Sequence, residues 1–310
     1  MHKYILRRIL SMIPVLLGVS FIVFSMLHII PGDPARTLAG GPEAREEDVI
    51  RIRDQLGLND PFIVQYGRWI TNLVVHQDLG NSFNTGRSVT DEIMDRFPTT
   101  VQLAGASVLV AVLIGVPVGI ISATKQYSVF DNVAMFLALV GVAMPAFWQG
   151  MLLILLFSLH LGWLPSIGMD GIQYLILPAF TLGTGGAALI ARMTRSSMLE
   201  VVRQDYITTA RAKGQTERVV INKHALKNAL IPIVTVVGLA FAGLLGGAII
   251  TEQVFTIPGL GRLLIGSINQ RDFPVVQGGV LYIALTFSLV NLFVDILYAF
   301  LDPRIKSQYR

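Results

Sequence analysis

The sequence predicts an all-α integral membrane protein: six transmembrane helices, a small extracytoplasmic cap after helix 1, and a polar cytoplasmic loop between helices 4 and 5. Three observations carry this expectation. Of 310 residues, 53% are hydrophobic and 14% charged, with a mean hydropathy of +0.63, which is membrane composition rather than that of a soluble core. Six apolar segments are each long enough to cross a hydrocarbon layer about 30 Å thick. Lys and Arg are distributed unevenly: fifteen flank these segments on one side, and two lie in the short loops opposite. The 68-residue loop carries seven more, but long loops translocate largely regardless of charge, so the bias predicts cytoplasmic termini.

Met1 to Arg8 is short and basic, and an apolar run from Ile9 to Ile30 follows. A signal peptide has an apolar core of about 7–15 residues and a small-x-small cleavage site. This run is longer and leads into His28-Ile29-Ile30-Pro31, so it reads as a first membrane helix. Residues 31–98 hold seven Arg and eleven Asp or Glu. They open on Pro31-Gly32-Asp33-Pro34, a sharp exit. Val49 to Leu56, closed by Gly57, and the aromatic-rich Phe62 to Val75 read as short amphipathic helices, with a turn at Asp78-Leu79-Gly80-Asn81-Ser82. The remaining apolar segments are Thr100–Ala123, Val133–Leu159, Tyr174–Ala191, Leu230–Ile250 and Val275–Leu301. Small residues recur in them at Gly115 and Gly119, Gly183, Gly185 and Gly186, and Gly243, Gly246 and Gly247, at spacings that suit close helix packing. Pro117, Pro145, Pro178 and Pro232 are candidate bends.

The polar stretch DYITTARAKGQTERVVINKHALKNALIP, Asp205 to Pro232, is the organising element. Ser196 to Lys213 reads as a helix with apolar Met198, Val201, Val202 and Ala210. Gly214 ends it in a left-handed cap, with Arg211 and Lys213 at the negative end of the helix dipole. Thr216 and Glu217 suit the start of a second helix running to Pro232. Helix, tight corner and helix make a rigid knob able to receive force from a soluble motor. A plain loop obeying the positive-inside rule is the competing reading.

Within this stretch, TARAKG followed by KHALKNALIP resembles the coupling loop of the permease subunits of peptide and nickel ABC importers. The general importer consensus has Glu-Ala-Ala, a Gly four residues on, and a later apolar-x-Leu-Pro. Thr208, Thr209 and Ala210 occupy the triplet and Gly214 the Gly, whereas His224 and Lys227 stand where the apolar residue and Pro would be. The resemblance continues through TEQVFTIPGLGRLL and QRDFP within Thr251–Pro274, Leu161-Gly162-Trp163-Leu164-Pro165, Val294-Asp295-Ile296-Leu297-Tyr298 and Leu301-Asp302-Pro303-Arg304. The long outer loop after helix 1 resembles that of the subunit type usually named first of the two permeases in such systems.

That family implies the following expectations. The chain is organised as residues 1–30 (N-terminus and first helix), 31–98 (cap), 99–301 (importer core, with the coupling loop at about 196–228) and 302–310 (cytoplasmic tail). It sits in the bacterial inner membrane and forms half of a translocation path for di- or oligopeptides or glutathione-like peptides, with nickel or a metal chelate as the alternative cargo. It pairs with a second, homologous permease, two ATP-binding subunits that hold ATP and Mg, and an extracytoplasmic solute-binding protein, all within membrane lipid. Contacts to the ATPase are expected from Asp205, Thr209, Ala210, Arg211, Ala212, Lys213, Gly214 and His224.

Polar residues within the apolar segments are candidates for the path or gate: Gln102, Gln149, Thr181, Thr184, Ser288, Asn291 and Asp295. Ser288, Asn291 and Asp295 share one helical face. An intramembrane charge such as Asp295 marks a candidate functional site, and a structural ion pair with a basic residue at the same depth, such as Arg192, is the plainer expectation. An ion-coupled transporter or channel could also use Asp295. An enzyme is not indicated. The chain contains no Gly-x-Ser-x-Gly, no Gly-Lys of a Walker A loop, no cysteine, and no clustering of its five histidines at metal-ligand spacing.

Overall fold

The computed structural model describes residues 2–29, 33, 35–36, 39–55, 57–246 and 248–301. Pro31-Gly32 and Pro34, Leu56, Gly247, Asp302-Pro303-Arg304 and the 302–310 tail lie outside the described residues. All regular structure within them is helical apart from an isolated bridge between Asn81 and Ser88. The helices are α1 (His2–Ile29), α2 (Glu46–Gln55), α3 (Phe62–Val75), α4 (Val89–Thr124), α5 (Val129–Ala143) and α6 (Ala146–Leu153). They continue with α7 (Ile172–Val202), α8 (Asp205–Ala212), α9 (Glu217–Val219), α10 (Leu226–Leu245), α11 (Ile249–Val254), α12 (Leu260–Asn269) and α13 (Phe273–Leu301).

Among the described residues, five helices are long and apolar enough to cross a membrane: Ile5–Met26, Val89–Thr124, Ile172–Val202, Glu217–Leu245 and Phe273–Leu297. The segment expected as one crossing at Val133–Leu159, with Pro145 as a candidate bend, is two helices bent by 102°, a sixth span only if the bent pair counts as one. Pro145 causes the break. The residue before a proline is driven out of the α region, and Met144 is extended (φ −75°, ψ 123°) before α6 begins. Beyond α6, Ile154–His160 widens into a π-helix. Pro117, Pro178 and Pro232 sit inside continuous helices, so the second helix of the polar stretch does not stop at Pro232. It runs through a π-helical segment, Val220–Ala225, into α10.

The chain forms two compact units. Unit one comprises residues 1–8, 98–262 and 286–310. Its centre is the crossing of α4 and α7, which small residues make close. A Cβ on Gly115 would stand 2.7 Å from the Ala187 carbonyl, one on Gly119 2.5 Å from Thr194 Cβ, and one on Gly183 2.7 Å from Val110 Cβ. Ala111, Ala187 and Ile190 are buried there, as the small-xxx-small spacing leads one to expect. Unit two comprises residues 9–97 and 263–285. In it, Asp272, 3% exposed, accepts hydrogen bonds from Ser82 Oγ and from the Phe83 amide at 3.0 Å, which fixes the turn predicted near Asn81-Ser82.

Candidate functional site

The polar corner is built on a core of its own. Helix α7 continues to Val202, farther than its apolar stretch indicates. The chain then breaks at Gln204, which is extended (φ −77°, ψ 148°), and restarts at Asp205. The single helix expected from Ser196 to Lys213 is therefore two. The reason is burial: Ile207 and Ala210 must join Ala123, Met198, Val220, Ile221 and Ala225 in one apolar cluster, which a straight continuation of α7 could not place there. Asp205 supplies a carboxylate at the positive end of α8.

Burial sorts the predicted contact residues. Ala210 faces inward at 8% exposure and anchors α8, whereas Asp205, Thr209, Arg211, Ala212, Lys213 and Gly214 are exposed and His224 is half-buried. Gly214 has φ +74°, and its amide donates to the Arg211 carbonyl at 2.9 Å, so the tight left-handed cap is present. Two side-chain pairs close the corner. Arg211 donates from Nε and Nη2 to both oxygens of Glu217 at 3.1 and 2.7 Å, and the Glu217 carboxylate holds the guanidinium pKa above its ordinary value. His224 Nε2 lies 2.7 Å from Gln215 Oε1. Arg211 and His224 thus hold the corner's shape as well as lying on its surface.

Close to this corner, a buried ion pair ties α5 to α7. Asp131 is 1% exposed and accepts from Arg195 Nε at 2.6 Å and Nη2 at 2.7 Å, the bidentate geometry in which guanidinium is strongest. The Tyr127 amide donates to the same carboxylate at 3.0 Å, and Ser128 Oγ accepts the Asp131 amide at 3.2 Å. Residue reading missed this pair. Its signal was Ser128-x-x-Asp131 ahead of an apolar run, a helix-start pattern that accounts for Asp131 locally and hides its long-range partner.

Asp295 has a partner, but not Arg192. Its Oδ2 lies 3.0 Å from Arg8 Nη1, while Arg192 is exposed on α7. Helical periodicity places Asp295 on a face of α13 but cannot say which distant helix meets that face. Ser288, Asn291 and Asp295 are all half-buried. Gln149 Nε2 donates to Thr184 Oγ1 at 2.6 Å, and Thr181, 2% exposed, returns its hydroxyl to the Leu177 carbonyl at 2.8 Å. Gln102 is exposed on α4. Of these residues, Gln149 and Thr184 are brought together across helices, and Thr181 is committed to its own helix.

The TEQVFTIPGLGR stretch carries a second buried carboxylate that residue reading did not single out. Glu252 is 0% exposed. Thr100 Oγ1 donates to its Oε1 at 2.9 Å, the Arg262 amide donates to Oε2 at 2.9 Å, and Thr100 Oγ1 accepts the Leu260 amide at 2.8 Å. Glu252 therefore caps the first turn of α12, whose free N–H groups favour a carboxylate. Burial pushes its pKa up despite these hydrogen bonds. The two glycines of Pro-Gly-Leu-Gly are explained by the same contact. A Cβ on Gly259 would lie 2.4 Å from the Glu252 carboxyl carbon, and one on Gly261 would lie 3.0 Å from Oε2.

Among the described residues no group of three or more His, Cys, Asp or Glu is placed to hold a metal ion. What the described residues do build is a braced corner, a pair of ion-paired helices and a capped loop.

Comparison with known proteins agrees with this architecture. Residues 115–307 match the family described as binding-protein-dependent transport system inner membrane component, and residues 1–104 its N-terminal region. The chain is 47% identical to the dipeptide transport system permease protein DppB of Alkalihalophilus pseudofirmus, over 99% of this chain and all of that one. It is 48% identical to the glutathione transport system permease protein GsiC of Salmonella paratyphi A, over 99% of each chain. An inward-facing structure of the MetNI methionine ABC transporter superposes with a TM-score of 0.57 at 20% identity, covering 68% of this chain and 96% of that chain. That likeness shows the fold alone. With family matches across nearly its whole length, this chain belongs to the inner membrane components of binding-protein-dependent transport systems, the multi-pass permease subunits of ABC importers, which leave ATP hydrolysis to partner chains.

Proposed function

We propose that this chain forms half of a translocation path for small peptides, of the dipeptide or glutathione-like class. The observation that carries the reading is full-length identity of 47–48% to permeases named for those two solutes. A second, homologous permease supplies the other half, and two ATP-binding subunits engage the exposed faces of Asp205, Thr209, Arg211, Ala212 and Lys213 around Gly214. The excess of Lys and Arg on one side supports cytoplasmic termini, with residues 31–98 facing the solute-binding protein. The corner's apolar anchor, Ile207 and Ala210 against Ala123 and Met198, lets a push on α8 act on the ends of α4 and α7 as a rigid-body tilt between inward and outward access. Ser288, Asn291 and Gln149 are the polar groups available to line the path.

The test is affinity purification of the chain from native membranes in mild detergent, followed by reconstitution with the copurified subunits. Recovery of one further permease and P-loop ATPases, with ATP hydrolysis and uptake stimulated by binding protein loaded with a dipeptide or glutathione, is the expected result. A homomeric protein without ATPase partners would overturn the reading. Stimulation by a loaded metal chelate but by neither peptide would overturn the solute class alone.

A further inference from the structure

Helix α3 crosses the C-terminal half of α1, within unit two: Phe62 and Trp69, two turns apart, both meet the Phe24 ring, with centroids 5.4 and 5.5 Å away. Tyr66 Oη lies 2.8 Å from Ser20 Oγ and donates to the Leu17 carbonyl at 3.4 Å. The Phe62 ring meets Phe21, Phe24 and His28 with centroids 5.7, 5.4 and 5.0 Å apart. The apolar span of α1 runs from Ile5 to Met26. At 1.5 Å per residue, Ser20 lies about 9 Å inside the end of that span. The aromatic face of α3 is therefore fastened to turns of α1 that stand in hydrocarbon.

The rest of α3 divides into two faces. Ile63, Gly67, Ile70 and Val74 follow one another at helical spacing on a stripe whose ends are bare: Ile63 is 68% exposed and Val74 69%. Away from it lie Arg68, Thr71 and Asn72, all exposed, with Arg68 paired to Asp60 at 2.5 Å and with Val64, 49% exposed, and Val75, 66% exposed, between Thr71 and Arg68 around the helix. One face on protein, one continuous aliphatic stripe, and a third, mixed face that carries Arg68 and Asn72 are what a helix lying in a membrane interface presents. A soluble cap would leave the aliphatic stripe in water. On α1, in the same unit, Ile22 and Met26 are exposed at the level where α3 is attached.

We propose that α3 is an interfacial helix. Its Ile63–Ile70–Val74 stripe lies among the acyl chains of the leaflet where the C-terminal end of α1 emerges, and Arg68 and Asn72 lie at the headgroups. The segment after the first span is thereby pinned to the bilayer rather than standing off it.

The absence of cysteine makes the test direct. Single variants Ile63→Cys, Val74→Cys and Asn72→Cys, with Ile22→Cys as the hydrocarbon reference, carry a nitroxide label in the full chain reconstituted into phosphatidylcholine vesicles. Collision with dissolved oxygen is compared with collision with a water-soluble nickel chelate. Positions 63 and 74 are expected to match position 22, with an oxygen-to-chelate ratio several-fold above that at position 72. Chelate access at 63 and 74 equal to that at 72 overturns the proposal in favour of a water-exposed cap. Shielding of 63 and 74 from both reagents overturns it in favour of a protein partner.

Discussion

Replacing Asp131 with Asn tests whether the α5–α7 ion pair holds the core together. The substitution keeps the side chain's shape and removes two charge-assisted hydrogen bonds of 2.6 and 2.7 Å. Breaking a fully buried ion pair from one side costs about 3–5 kcal/mol. Arg195 is 23% exposed, so water recovers part of its loss, and Asp131→Asn should cost about 2–3 kcal/mol. Arg195→Gln strands the more buried carboxylate, leaving it the Tyr127 amide, and should cost about 3–4 kcal/mol. The double variant removes both charges and should cost less than the sum, with a coupling of about 2 kcal/mol. Unfolding of the full chain in mixed micelles, titrated with a denaturing detergent and followed by tryptophan fluorescence, measures all four corners of the cycle. Additivity within about 0.5 kcal/mol would refute the reasoning, because it would mean that the two groups do not depend on each other.

The other predictions concern the corner and the capped loop. Gly214→Ala should cost about 1 kcal/mol, because φ is +74° and the left-handed region disfavours a Cβ; a Cβ there meets nothing within 4 Å, so strain and not collision sets the penalty. Gly214→Asn, which tolerates that region, should recover most of it, and uptake per ATP hydrolysed in the reconstituted importer should follow the same order. Gly259→Ala should cost about 1–3 kcal/mol by overpacking and much less in a Glu252→Ala background, where the atoms it strikes are gone; equal costs in both backgrounds in thermal unfolding would refute the contact. Glu252 makes stability fall as pH rises. Its pKa is raised from 4.5 by burial, so between 4.5 and the raised value the folded state holds more protons than the unfolded state. Its contribution is complete below 4.5 and is lost as pH climbs through the folded value. Unfolding midpoints recorded from pH 4 upward should decline, and Glu252→Gln should flatten the decline.

Much of this architecture was legible in the residues because it depends on local quantities. Apolar run length locates a membrane helix wherever it sits in the fold, and the expected segments correspond to the five long spans and the bent pair. The Gly214 corner was equally legible, since a left-handed cap is a property of a few consecutive residues. Pro145 was marked as a bend, but whether a proline breaks a helix depends on what its neighbours do with the freed carbonyl, and Pro117, Pro178 and Pro232 were absorbed without a break. Long-range pairing was not legible at all. Asp295 meets Arg8 rather than Arg192, Asp131 meets Arg195 across 64 positions, and Glu252 meets Thr100 across 152. Asp295's position on its helix followed from periodicity, while the partner of each of the three carboxylates was decided by which helices pack together. The sequence by itself determined a membrane protein with a helical corner, since composition and run length are read one residue after another, and the resemblance of its motifs added the permease family. Only the tertiary structure decided which charges are paired, where α7 breaks so that Ile207 and Ala210 can be buried, and which glycines exist to make room for a carboxylate, because those depend on distances between residues far apart in the chain.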